Sequence, residues 1–281
     1  MKKITVKVPA KINLTLDVVG TEGKYHEIKS LVTSINVYDV ITLEKRTDNQ
    51  INLQMKGLSV DCAIPDNNAY KAAKLFAETF STGGVNVTVE KNIPVGGGMG
   101  GSSADIAGVL KGMNTLYEVD MDMGELADAL GSDVRYMLDG GYAILSGRGQ
   151  IIEEQYISKT LYMVLIKSDK IISSRACYKK FDALNKMHKP CTKSSAKALL
   201  GGDFEKFVEI AKNDLYAPAV TFVDELEINV KNLKRAGAPL ALMTGSGSVV
   251  YGVFDNEKQC VEAYRKLKPL YSDDVMKAQT I

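Results

Sequence analysis

The sequence predicts an α+β protein built from two domains, and three observations carry that expectation. At 281 residues the chain is longer than one ordinary domain. Strand-like and helix-like periodicities alternate along it without a strict βαβ rhythm. Around residues 153–160 the pattern turns polar before a fresh apolar run, LYMVLI at 161–166, which puts the boundary there, with domains at 1–157 and 158–281.

Residues 4–19 and 31–44 run or alternate apolar with β-branched types and read as strands, joined through a turn at 20–24. In NNAYKAAKLFAETF at 67–80, Ala69, Ala72, Ala73, Phe76 and Phe80 share a helical face, and Asp66 or Asn67 is placed to cap it. VNVTVEK at 85–91 reads as a strand. Beyond a glycine-rich stretch, Ile106, Val109, Leu110, Met113 and Leu116 recur at helical spacing. A short helix at 123–130 is followed by paired glycines around an apolar strand at 142–145. In the second half, helical patterns occupy 204–215, 222–235 and 256–267, and the apolar PLALM and VVYGVF flank TGSGS at 244–248. There is no internal repeat and no low-complexity tract.

Charge excludes a polyelectrolyte partner: 35 basic and 34 acidic residues give a formal +1, so nucleic acid or an acidic membrane has no global attraction and any anion site must be local. Lys7 and Lys11 interrupt what would be the apolar segment of a secretory signal, and no run of about 18 apolar residues offers a membrane span. Cys62, Cys177, Cys191 and Cys260 lie far apart with no CxxC pair, as expected of reduced thiols in a cytoplasmic protein. His26 and His188 have no ligand spacing around them, so no metal-ligating residues are assigned.

The stretch IPVGGGMGGSSADIAGVL at 93–110 sets Gly96, Gly97, Gly98, Gly100 and Gly101 between strand and helix. Glycines take positive φ and let backbone N–H groups approach an anion, and Ser102 and Ser103 can cap a helix whose positive dipole end faces the same point. The alternative is a flexible linker. The Lys and Ser/Thr of a Walker loop are missing after Gly101, and the βαβ context of a dinucleotide fingerprint is missing too, so phosphate binding of another type is expected. Asp133, in LGSDV, is either a helix cap or a turn carboxylate, or a base. Lys11, in PAKINL, is either a lysine snorkelling from an edge strand or a half-buried cation. A phosphate cradle, a lysine and a poised aspartate are the parts that phosphoryl transfer needs. Gly245, Ser246 and Gly247 make either a tight turn or a second cradle turned to the substrate. Tyr25 and His26 suit a planar base, or are surface packing.

In this order the residues resemble the GHMP kinases, the superfamily of galactokinase, homoserine kinase and mevalonate kinase. PAKINL, IPVGGGMGGSSAD and LMTGSGSVVYGVF are similar to its three motifs, and the likeness spans nearly the whole chain. PAKINLTLDVVG with GKYHEIKSL, NNAYKAAKLF, and GSDV with GGYAILSGRG resemble the branch of non-mevalonate isoprenoid biosynthesis that phosphorylates the 2-hydroxyl of a cytidine diphosphate-linked polyol. The resemblance implies a two-domain fold with the active site in the interdomain cleft. It implies ATP along Pro94, Val95, Gly96, Gly97, Gly98, Met99, Gly100, Gly101, Ser102 and Ser103, with Asn67 near the adenine. Asp133 would take the proton of the hydroxyl, Lys11 would hold the aspartate and the transferring phosphoryl, and Asn13 would contact the polyol. Tyr25, His26 and Tyr178 would hold the cytosine, and Mg2+ would accompany ATP. The partner implied is this small molecule, with no nucleic acid and no membrane, for a monomer or homodimer. Another alcohol or phosphomonoester acceptor, or a nucleotide-binding protein without catalysis, remain the alternatives. The chain departs from the pattern at Ser102, Ala104, Arg135, Ser168, Ile171 and Ser248.

Overall fold

The computed structural model describes residues 2–23, 25–184 and 189–281; His188 lies outside the described residues. In chain order the elements are β1 (Lys3–Asn13), β2 (Asp17–Glu22), β3 (Tyr25–Lys45), β4 (Ile51–Gly57), α1 (Asn68–Phe80), β5 (Val85–Lys91), α2 (Gly101–Tyr117), α3 (Gly124–Leu130), α4 (Val134–Asp139), β6 (Tyr142–Ser146) and β7 (Ile151–Tyr156). There follow β8 (Tyr162–Ile166), α5 (Ser174–Leu184), α6 (Thr192–Leu200), α7 (Phe204–Ile210), α8 (Tyr216–Val220), α9 (Glu225–Ala236), β9 (Leu240–Met243), β10 (Val250–Phe254), α10 (Glu257–Tyr271) and β11 (Val275–Gln279). This is the mixed α+β class expected, in two compact units.

The units do not divide at one point of the chain. The first holds Met1–Ala10, Val37–Val95 and Gly100–Gly140, and the second holds Lys11–Asn36, Gly96–Met99 and Gly141–Ile281. The expected cut after Ile157 therefore falls inside the second unit, because β1, β3 and the glycine stretch each contribute to both. Local pattern locates an element but not the unit its far end joins.

In the first unit β5 pairs antiparallel with β3 and parallel with β4, Val87 lying opposite Leu43 and Leu53. Alternation buries Val85, Val87 and Val89 of β5 with Ile41 and Leu43 of β3. Helix α2 lies against them through small residues: a Cβ on Gly108 would stand 2.6 Å from Ile41, and one on Gly112 would stand 2.2 Å from Leu43. Asn67 caps α1, its Oδ1 accepting from the Ala69 amide at 2.9 Å.

In the second unit β8, β9, β10 and β11 form a sheet in the order β11-β8-β10-β9, over a core shared with α5, α8, α9 and α10 that includes Val164, Ile166, Phe181, Leu226, Leu233, Phe254 and Leu267. Strand pairing extends into the stretch expected as a turn at 20–24. Gly20, Thr21 and Glu22 pair with Glu27, His26 and Tyr25, and Lys24 lies outside the described residues. The helix expected over 204–215 ends at Ile210, because the Lys212 carbonyl and Asp214 amide are taken by the backbone of Leu16 at 2.9 Å each. Tertiary bonds overrule helical spacing there.

Candidate active site

The glycine stretch takes the conformation its composition allows. Gly96, Gly98 and Gly100 have φ of 68°, 76° and 73°, a region that favours glycine, and they alternate along the loop that enters α2. The expected serine cap is not formed. Gly100 itself is the N-cap and has no side chain to bond the first amides of α2, and Ser102 and Ser103 lie inside the first turn. The physical reason is that the left-handed Gly100 starts the helix two residues earlier than a serine cap would. Ser102 Oγ instead accepts from Asn68 Nδ2. The helix thus begins, at its positive end, with amide donors that its N-cap side chain does not take. In the same unit Asp133 is half-buried and precedes α4; its carboxylate does not bond the amides of that helix.

In the second unit, Lys11 and Asn13 are 6% and 4% exposed, so Lys11 is a buried cation rather than an edge lysine. Lys11 Nζ donates to Asn13 Oδ1 at 2.5 Å, and the Lys11 amide donates to the carbonyl of Met99 at 3.0 Å. Asn13 Nδ2 donates to Ser30 Oγ at 2.8 Å, while its amide donates to Thr244 Oγ1 at 3.0 Å. Thr244 Oγ1 also reaches the Gly98 carbonyl at 3.2 Å. A Cβ at Gly98 would stand 2.3 Å from the Thr244 carbonyl oxygen, so the two glycine segments touch and only glycine fits. Gly245 and Gly247 have φ of 55° and 86°.

Sequence reading missed two residues that hold this turn. Asn213 Nδ2 donates to the carbonyls of Met243 and Gly245 at 2.7 and 2.9 Å, and Ser174 Oγ lies 2.8 Å from Ser246 Oγ. No local pattern marks either, since their partners are 30 residues away or more.

The residues expected around a base gather in the second unit, in an arrangement of their own. Tyr178 stacks on His26, with centroids 4.8 Å apart and planes 19° from parallel, and His26 Nε2 lies 2.7 Å from Asp182 Oδ1. Tyr25 is 59% exposed, with the Arg148 guanidinium 4.7 Å from its ring. Three departures from the family pattern have local explanations. Arg135 donates to both oxygens of Asp128, at 2.8 and 2.6 Å, and holds that carboxyl below its usual range. Ser168 Oγ bonds Glu225. Ile171 lies over Gly96, where a Cβ would come within 2.7 Å of it.

A loop of positive-φ glycines, an uncapped helix start, a buried lysine and a half-buried aspartate are the kinds of group that phosphoryl transfer uses. Residues 67–143 match the model of the GHMP kinases N terminal domain and residues 195–273 match that of the GHMP kinases C terminal domain. The chain belongs to the GHMP kinases, a family that uses ATP as phosphate donor. It is 36% identical over 276 residues to the 4-diphosphocytidyl-2-C-methyl-D-erythritol kinase of Bacillus cytotoxicus, covering 95% of this chain and 93% of that one. With the enzyme of the same name from Clostridium tetani it shares 36% over 277 residues, covering 95% and 97%. The crystal structure of a 4-(cytidine 5'-diphospho)-2C-methyl-D-erythritol kinase superposes with a TM-score of 0.82 at 26% identity, over 98% of both chains. A homoserine kinase from Cytophaga hutchinsonii superposes at 0.73 with 16% identity, a likeness of fold alone.

Proposed function

We propose that this protein transfers the terminal phosphoryl group of ATP to the 2-hydroxyl of 4-diphosphocytidyl-2-C-methyl-D-erythritol, releasing ADP, in the non-mevalonate route to isoprenoid precursors. The observation that carries phosphoryl transfer is the loop of alternating positive-φ glycines opening into the uncapped start of α2. The acceptor rests on relatives of that name, 32 to 36% identical over more than nine-tenths of the chain.

In this reading the amides of residues 96–103 hold the phosphate oxygens, with Pro94 and Val95 beside them and Asn67 near the adenine. Asp133 accepts the proton of the attacking hydroxyl. Lys11 offsets the negative charge of the phosphoryl in flight and steadies the aspartate, where its burial strengthens the attraction. Asn13 and the Gly245–Gly247 turn orient the polyol. Tyr25, His26 and Tyr178 recognise the cytosine by stacking and hydrogen bonding. The hydroxyls of Ser102 and Ser103 would suit Mg2+, which binds through one or two protein groups and the substrate phosphates. The same reading makes the protein a cytoplasmic enzyme, monomeric or homodimeric.

An ADP-release assay over a panel of acceptors tests the reading. Turnover with the cytidylyl substrate far above that with mevalonate, homoserine or isopentenyl phosphate is expected. A folded protein that phosphorylates another member of the panel in preference would overturn the acceptor and keep the chemistry.

A further inference from the structure

At the end of β5 and the start of α2, within the first unit, lies a charged cluster that the reaction does not use directly. Lys91 is the last residue of β5, 3% exposed, and shares the inward phase of Val85, Val87 and Val89. Asp39, 0% exposed, shares the inward phase of Ile41 and Leu43 on β3. Asp105 lies early in α2 at 6% exposure. Lys91 Nζ bonds Asp39 Oδ2, and it donates to Asp105 Oδ2 at 3.0 Å. The other Asp39 oxygen accepts the amides of Asn92 and Ile93 at 2.7 and 2.9 Å. Those are the residues by which the chain enters the loop. On the exit side, a Cβ at Gly101 would stand 3.1 Å from Lys91 Nζ.

Stability alone is a poor reason for this arrangement. Two carboxyls share one ammonium, and Asp105 Oδ1 is buried with no hydrogen-bond partner, a cost that an apolar side chain would avoid. Burial, with Asp39 close by, pushes the Asp105 carboxyl up to about 7 against the pull of Lys91. What the cluster does supply is geometry: a directed bond from the strand that enters the loop to the helix that leaves it.

We propose that Asp105 is a positioning residue for the phosphate loop: through Lys91 and Asp39 it ties the entry of the loop at Asn92 and Ile93 to the first turns of α2, and so fixes the backbone amides between them for a nucleotide phosphate. This rests on the nucleotide reading of the loop given above, and deepens it. Neither Asp105 nor Lys91 touches substrate in this account. The tether acts on binding, through the position of the amides.

Three proteins test it: the wild type, Asp105→Asn and Asp105→Leu, compared by ATP binding, KM for ATP, kcat and thermal melting. Asp105→Leu leaves Lys91 and Asp39 as a one-to-one pair, and is expected to melt no lower than the wild type. Its KM for ATP should rise about tenfold or more, with kcat within about threefold, because the amides are misplaced while the reacting groups are untouched. Asp105→Asn still offers Lys91 an acceptor oxygen and should restore KM to within about threefold. A purely structural role predicts the reverse, with melting altered and KM unchanged. If Asp105→Leu does not fold, Asp105→Ser, polar but too short to reach Lys91, carries the same comparison. A wild type that binds ATP and a folded Leu or Ser variant that binds it equally well would overturn the tether alone. A wild type without ATP binding would overturn the nucleotide reading of the loop instead.

Discussion

Around Gly98 the neighbours are buried, directed bonds: Thr244 joins its carbonyl to Asn13, Asn13 joins Lys11, and Asn213 secures the adjoining turn. Around Tyr25 and Tyr178 the contacts are made by rings: His26 stacks on the half-buried Tyr178, and Arg148 lies over the exposed Tyr25. The first region is fixed by polar networks in which removal of any member strands another, and these are costly to disturb. The second is fixed by stacking, which a different ring or a ligand can replace. In the proposed function, reaction type would rest on the buried region and acceptor choice on the ring cluster.

The largest expected effect comes from Asp133→Asn. Turnover should fall by about a thousandfold or more while ATP binding is kept, as read by kcat and by calorimetry. A variant that keeps most of its activity would make positioning the whole of the mechanism. Next, Gly98→Ala should unfold the network. It combines φ +76° with a Cβ 2.3 Å from the Thr244 oxygen, and should cost about 3 kcal/mol or more in denaturant titration. Gly202→Ala shares the positive φ, at +78°, with nothing within 4 Å, and should cost only about 1 kcal/mol. Equal costs would show that the touching of the two glycine segments is not what matters.

On the exposed side, Tyr25→Ala, at a ring 59% open to solvent, should raise KM for the cytidylyl substrate about tenfold, leaving KM for ATP and melting nearly unchanged. A loss of stability there would erase the contrast between the regions. The smallest effect is a slope. The folded Asp105 carboxyl holds its proton up to about pH 7, whereas an unfolded aspartate releases it near about pH 4. Its contribution to stability is thus complete below that lower value and is lost as pH rises towards the higher one. Relative to Asp105→Asn, the wild type should lose stability over this window, as urea midpoints across it would record. A constant difference would mean that Asp105 is already ionised at the low end.

The glycine loop was legible because positive φ needs glycine, and α1 and β5 were legible because cap and alternation are local signals. The serine cap was misread, because a left-handed glycine starts a helix equally well. Strand β4, INLQMKG, alternates half-buried Ile51, Leu53 and Met55 with exposed neighbours, a period-2 signal that a reading of the apolar runs alone passes over. The start of α6 is held by Asp17, which accepts the Cys191 and Thr192 amides from across the sequence, and no local pattern announces such a bond. Lys91, Asp39 and Asp105 did leave a trace. Each is a charged residue standing in the inward phase of an apolar run, which is where a buried network should be sought.

The most direct measurement of the central claim is 31P NMR of the protein with ATP, Mg2+ and 4-diphosphocytidyl-2-C-methyl-D-erythritol. A new phosphomonoester resonance should grow in step with ADP while the diphosphate of the acceptor stays intact. Decay of ATP to inorganic phosphate alone, or no change with folded protein, would contradict the account.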